Sequence, residues 1–156
     1  MSGKKVTEWS GSEAFRSGTT AGDTGTFRSR LGDWQNLRSA IVHGGINGAQ
    51  MRGLRTELSL TLGDVAHILG SSERSVMRKE KSTAALSVTE ADRAYRLARV
   101  ADLALEILGD EEKAKSWLKS SHPYLGGESP INVLNTEIGT DLVMQSLYAI
   151  AYGGVG

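Results

Sequence analysis

An all-α fold is predicted by three observations on this sequence. Apolar residues recur at helical spacing in stretch after stretch, N-cap residues stand directly ahead of those stretches, and no segment alternates apolar and polar residues as a half-buried strand would. The length of 156 residues suits one medium domain or two small ones sharing a core. An apolar fraction of 39% and a charged fraction of 23% are near globular values and argue against both a disordered chain and a membrane protein.

Residues 1–32 form the first predicted unit, an unstructured arm. Residues 1–30 hold 5 Gly and 10 Ser/Thr with few apolar side chains, too little to offset chain entropy by burial. Lys4, Lys5, Arg16, Arg28 and Arg30 would let such an arm touch DNA phosphates, although an expendable tail is the plainer reading. The second unit is residues 33–85. Asp33 caps a helix reaching about His43, with Trp34, Leu37, Ile41 and Val42 as its apolar stripe and Gly44-Gly45 as its stop. Asn47 then opens a helix with Gln50 in the capping-box position and Met51, Leu54 and Leu58 on one face.

Thr61 to Lys81 reads as two short helices joined by a tight turn. Thr61 is the N-cap with Asp64 three residues on, and Leu62, Val65, Ala66 and Leu69 follow at helical spacing. Gly70 supplies a left-handed residue, and Ser72 caps a helix from Glu73 to Lys81. This is helix-turn-helix spacing, in which the second helix enters the major groove of DNA. If Val76 points inward, rotation by 100° per residue puts Arg74 and Arg78 on the opposite face, with Lys81 close by and Ser75 and Met77 flanking. Ser72, Arg74, Ser75, Met77, Arg78 and Lys81 are therefore the candidate DNA-binding residues, since arginine there can contact guanine edges or phosphates. Two positions depart from the usual regulator pattern: Ser71 replaces an apolar turn residue, and Lys79 replaces a second core residue of the reading helix.

The third unit is residues 86–156. Ser87 and Glu90 make a capping box for a helix running to Leu108 and stopped by Gly109. Leu97, Ala101, Ala104 and Leu108 form its stripe, widened by Val100, Leu103 and Ile107, a breadth suited to a central core helix or a dimer interface. Asp110 caps Glu111 to Ser120, with Ala114, Trp117 and Leu118 facing inward. A loop from His122 ends with Ser129 as N-cap and Pro130 at the first helical position of a short helix, Ile131 to Asn135. The last helix runs from about Thr136 to Tyr152, with Ile138, Leu142, Val143, Leu147, Ile150 and Ala151 apolar, and ends in a glycine tail.

Charge separates the two halves. Residues 1–100 hold 15 Lys/Arg against 10 Asp/Glu, and residues 101–156 hold 3 against 8. The basic half thus coincides with the helix-turn-helix and fits a polyanion. Catalytic chemistry has no positive support, and neither a metal nor a cofactor is expected. His43, His67 and His122 lie on separate elements, Gly126-Gly127 lacks the Lys-Ser/Thr of a phosphate loop, and the carboxylates at 110–112 suit a helix N-terminus. The absence of cysteine, of a membrane-spanning run and of a secretory leader leads to the expectation of a cytoplasmic protein with no membrane partner.

Four pieces of the C-terminal half occur together in one order: L-S-x-x-E-x-D-R-x-x-R-L-A-R-V at Leu86–Val100, G-D-x-x-K-A-x-x-W-L at Gly109–Leu118, P-x-L-G-G-x-x-P at Pro123–Pro130, and T-E-x-G from Thr136. In this the chain resembles the Xre/MbcA/ParS-like antitoxins, and Trp34–Lys81 is similar to their Xre-type DNA-binding half. The resemblance covers about residues 33–155, with one departure at Ile131-Asn132, where the family commonly has Leu-Asp. It implies a helix-turn-helix domain followed by a small toxin-binding and dimerisation domain. It further implies a type II antitoxin that neutralises a RES-domain toxin (an enzyme that consumes NAD or transfers ADP-ribose from it) and represses its own operon. By that resemblance the last helix and tail cover the toxin's active site. Tyr148, Ile150, Tyr152, Gly153 and Gly154 are then the candidate toxin contacts, tyrosine as anchor and glycine as a slim backbone. The implied partners are the toxin, operator DNA and a second copy of the chain. The competing reading is a stand-alone dimeric helix-turn-helix regulator.

Overall fold

The computed structural model describes residues 46–153. The predicted arm, the predicted Asp33–His43 helix with its glycine stop, and Gly154 lie outside the described residues.

Among the described residues seven α-helices follow one another: α1 Gly48–Glu57, α2 Leu62–Leu69, α3 Glu73–Glu80, α4 Val88–Leu108, α5 Glu111–Lys119, α6 Pro130–Val133 and α7 Glu137–Ala151, with a 3-10 turn at Pro123–Leu125 between α5 and α6. Among the described residues the only extended pairing is an isolated antiparallel bridge between Asn47 and Ala85, beside which the Leu86 amide donates to the Ile46 carbonyl at 2.6 Å. The fold is all-α, a helix-turn-helix followed by a C-terminal helical domain.

Local chemistry sets most of the boundaries. Complete capping boxes form at Asn47/Gln50, Thr61/Asp64 and Ser87/Glu90, each satisfying two backbone donors that the first turn leaves open. Ser72, Asp110, Ser129 and Thr136 each accept one amide at a helix start. Gly70 closes α2 in the left-handed region at φ 71°, with Ser71 N–H on the Ala66 carbonyl at 2.9 Å and Gly70 N–H on the His67 carbonyl at 3.3 Å, a Schellman pair. The predicted ends at Lys81 and Ser120 are C-cap residues just beyond α3 and α5, and the short helix begins at Pro130 and stops at Val133.

α4 is the axis of the molecule. It spans 21 residues, about 31 Å, and packs against α2, α5 and α7. One apolar cluster runs from Ile46 through Val65, Ile68 and Leu97 to Leu118 and Leu147, so both halves share a core. Burial around α4 differs from the predicted stripe. Ala91, Ala94, Ala98 and Leu105 are buried, whereas Leu103, Ile107 and Leu108 are only half-buried. Three neighbouring helices press on α4, which favours small alanines at the contacts and leaves its larger side chains at the edges. Trp117, expected inside, is half-buried and stacks on His122 at 4.7 Å between centroids.

Hydrogen bonds tie α6 to α2 and the end of α5 to the link between α1 and α2. His67 Nε2 on α2 donates to the Asn132 carbonyl on α6 at 2.8 Å, and Lys119 Nζ donates to the Ser59 carbonyl between α1 and α2. α7 in turn comes so close to α6 at Gly139 that a Cβ there would lie 1.8 Å from the Val133 carbonyl oxygen.

Candidate functional site

Among the described residues two candidate surfaces stand out, one on α3 and one on α7. Val76 anchors α3, buried to 1% exposure under the helix. Around the opposite side Arg74, Arg78 and Lys81 are exposed, Met77 is exposed beside them, and Ser75 is half-buried. Ser72 is exposed, and its Oγ accepts the Ser75 amide at 3.1 Å. Arg78 Nη2 donates to Ser75 Oγ at 3.4 Å, which lays the guanidinium along the helix. All six predicted residues thus lie on or beside one accessible helix, an arrangement able to present guanidinium donors to a groove.

The orientation of that helix is held by residues that pattern reading did not single out. Arg55 on α1 donates from Nε and Nη2 to the two carboxylate oxygens of Glu80 at 2.7 and 2.9 Å. That fork raises the Arg55 pKa further above the arginine range, outweighing the opposite pull of burial. On the other flank Lys79 pairs with Glu90, the capping-box partner of Ser87 in the first turn of α4. Burial pushes the Glu90 carboxyl up, but hydrogen bonds from Lys79 and the Ser87 amide, with the lysine's charge, hold it below the usual glutamate range. Lys79, where the sequence pattern leads one to expect an apolar side chain, is therefore a cross-link to α4. Its spacing from Glu90 is 11 residues, outside any helical repeat, so no sequence pattern marks the pair.

α7 exposes some of its apolar side chains on its outer side while burying others on its inner side. Its inner side buries Thr140 at 2% and Ser146 at 4% exposure along with Val143 and Leu147, while Ile138 stands 75% and Tyr152 82% exposed. Thr140 tolerates burial because its hydroxyl donates to the Thr136 carbonyl at 2.8 Å. Ile138, Leu142 and Tyr152 fall within one narrow arc of the helix at 100° per residue, with Tyr148 at its edge. Tyr148 and Tyr152 stack at 6.3 Å with 16° between their planes. Ile150 is half-buried on the inner side, and Gly153 is exposed with φ 78° just after the helix. Ile138 and Leu142 extend this surface toward the N-terminal end of α7; in the sequence they look like ordinary core positions.

Among the described residues no group of three or more His, Asp or Glu could hold a metal ion, and no helix is long and apolar enough to cross a membrane.

Known proteins match both halves. The antitoxin Xre-like helix-turn-helix domain matches residues 45–99, and the antitoxin Xre/MbcA/ParS C-terminal toxin-binding domain matches residues 103–153. Similar curated proteins, each named Antitoxin Xre, come from Pseudomonas putida, Photorhabdus laumondii and Yersinia enterocolitica. The first is 37% identical over 68 residues, 44% of this chain and 43% of the relative. The second is 34% identical over 92 residues, 58% of this chain and 62% of the relative, and the third 28% over 96 residues, 61% and 65%. The chain thus spans less than two thirds of the length of these relatives. With an antitoxin Xre-like helix-turn-helix domain and an antitoxin Xre/MbcA/ParS C-terminal toxin-binding domain matched one after the other, this chain belongs to the Xre/MbcA/ParS-like antitoxins.

Proposed function

We propose that this chain is the antitoxin of a type II pair and neutralises a RES-domain toxin that consumes NAD or transfers ADP-ribose from it. α7 and the tail cover the toxin's active site, with Tyr148, Tyr152, Gly153 and Gly154 as contacts, Ile150 backing them from the inner side, and Ile138 and Leu142 continuing the surface. The observation that carries this reading is the set of exposed apolar side chains on α7, which lies within the stretch matched by the toxin-binding domain. A row of exposed apolar side chains on a helix marks an interaction site, and tyrosines are suited to anchor it.

The α3 face represses the antitoxin's own operon as a homodimer, reading operator DNA with Arg74 and Arg78 and contacting phosphates through Lys81 and Ser72; Ser75 and Met77 complete the face. Exposed guanidinium groups on a helix braced from both sides support this assignment. The test is co-expression of the full chain with the protein encoded by the neighbouring open reading frame. Restored growth and co-purification are expected. A neighbour without a RES domain, or failure of the two proteins to co-purify, favours the stand-alone regulator instead.

A further inference from the structure

α7 carries its exposed apolar row together with charge of a single sign. Glu137 and Asp141 are both exposed and stand one turn apart, next to Ile138 and Leu142. Glu137 lies in the first turn, where the helix dipole favours a carboxylate. Asp141 lies beyond that turn, and its i−4 neighbour is a second carboxylate, an arrangement that weakens a helix in isolation. Neither takes part in an ion pair among the described residues. Lys119 is the last Lys or Arg of the chain, and from 120 to 156 the charged residues are Glu128, Glu137 and Asp141. The helix therefore keeps two adjacent carboxylates that its own stretch of chain does nothing to neutralise.

Resting on the reading of α7 as the toxin-docking helix, we infer that this face recognises a protein cleft with an apolar floor and a cationic rim. Ile138, Leu142, Tyr148 and Tyr152 fill the floor, while Glu137 and Asp141 meet Lys or Arg side chains of the partner. A cleft that binds an anionic substrate already has such side chains, so the two carboxylates compete with that substrate for the same cations. A second copy of this chain does not meet the description. Pairing α7 against α7 through this face brings four carboxylates together without a base between them, and like-charge contacts across an interface are unfavourable.

Opposite charges on the two surfaces also steer encounter, so association is fast at low salt and slows as ions screen it. The test follows association of the full chain with the protein encoded by the neighbouring open reading frame, by stopped-flow fluorescence at about 50 and 500 mM NaCl. Wild type is compared with Asp141→Asn, Glu137→Gln/Asp141→Asn and Glu137→Lys/Asp141→Lys. The wild-type rate is expected to fall roughly tenfold between the two salts. Asp141→Asn should slow low-salt association severalfold, the neutral pair should slow it about tenfold and lose most of the salt dependence, and the reversed pair should be slower still. Melting temperatures of Asp141→Asn and wild type should agree within about 2 °C, because the inference gives Asp141 no role in the fold.

A wild-type rate insensitive to salt, or a neutral pair that associates as fast as wild type, overturns the cationic rim and leaves toxin docking by α7 standing. A marked loss of melting temperature in Asp141→Asn overturns it as well, since the carboxylate then serves the protein's own structure. A sedimentation dimer that dissociates in the reversed pair assigns the face to a second copy. No association of the wild-type proteins at either salt overturns the docking reading itself.

Discussion

Arg93 of α4 donates from Nη1 to the Leu69 carbonyl at 3.0 Å, so the long central helix caps the end of α2, the helix that precedes α3. The same guanidinium nitrogen lies 2.5 Å from where a Cβ on Gly70 would be. Turn, cap and central helix are thus one assembly. Arg93→Ala is expected to lower stability by about 1–3 kcal/mol, the range for a lost charge-assisted hydrogen bond at a part-buried carbonyl. The urea midpoint reports it, and Arg93→Lys should recover part of the loss. Operator affinity should fall with stability, because the turn sets the angle of α3.

Arg74 and Arg78 are exposed on α3 and their removal leaves the core intact. Arg74→Ala and Arg78→Ala should each weaken operator binding by about 1–3 kcal/mol where the contact is to a base edge. Toxin neutralisation and melting temperature should be unchanged. A gel-shift titration at fixed salt checks this, and wild-type affinity in the double variant would remove α3 as the reader.

Glu90 gives a pH prediction. Its folded pKa is depressed, so its contribution to stability is fully present above the ordinary glutamate range, about 4.3, and is lost as pH falls through the lower folded value. Lys79→Gln removes the cation and should flatten that acid limb. At neutral pH it should cost about 1 kcal/mol, the upper end for an accessible pair. Urea midpoints at several pH values between neutrality and the acid transition measure both effects.

Two glycines in helices should respond oppositely to alanine. At Gly139 the new Cβ would lie 1.8 Å from the Val133 carbonyl oxygen, which forces α7 off α6. Gly139→Ala should destabilise by about 1–3 kcal/mol, the range for overpacking, and impair neutralisation. At Gly53 nothing lies within 4 Å, so Gly53→Ala should stabilise by about 0.5–1 kcal/mol through helix propensity. Thermal melts of the two variants separate the cases.

Tyr148 and Tyr152 stack on the outside of α7, and Tyr152 is 82% exposed. Tyr148→Ala/Tyr152→Ala should leave stability within about 0.5 kcal/mol of wild type while abolishing neutralisation in a growth assay. Undiminished rescue would place the contact elsewhere. Leu142→Asp tests the N-terminal end of the same surface and should also lose rescue without unfolding the protein.

Capping and turn chemistry was legible because it is local. Asn47, Thr61 and Ser87 with their N3 partners, the left-handed stops at Gly70 and Gly109, and the Ser129-Pro130 start all depend on residues within one turn of each other. The inward turn of Val76, and with it the exposed side of α3, also followed from helical period alone. The bracing of α3 was not legible: Arg55 and Glu80 are 25 residues apart, Lys79 and Glu90 are 11, and no periodic pattern links either pair. Lys79 looked like a missing core residue in the sequence and is an ion-pair partner in the fold.

By itself, then, the sequence determined the helices between residues 46 and 153, their caps and the helix-turn-helix spacing. What only the tertiary structure decided was which side of each helix faces inward when both sides are apolar. α7 shows the reason. Its apolar residues run nearly all the way round, so period cannot tell Ile138 and Leu142 from Val143 and Leu147. The close approach of Gly139 to the Val133 carbonyl and the packing of α7 on α4 select the side with Thr140, Val143 and Leu147 for burial. Ile138, Leu142 and the tyrosines are left outside, because a single helix buries only the face that its neighbours cover.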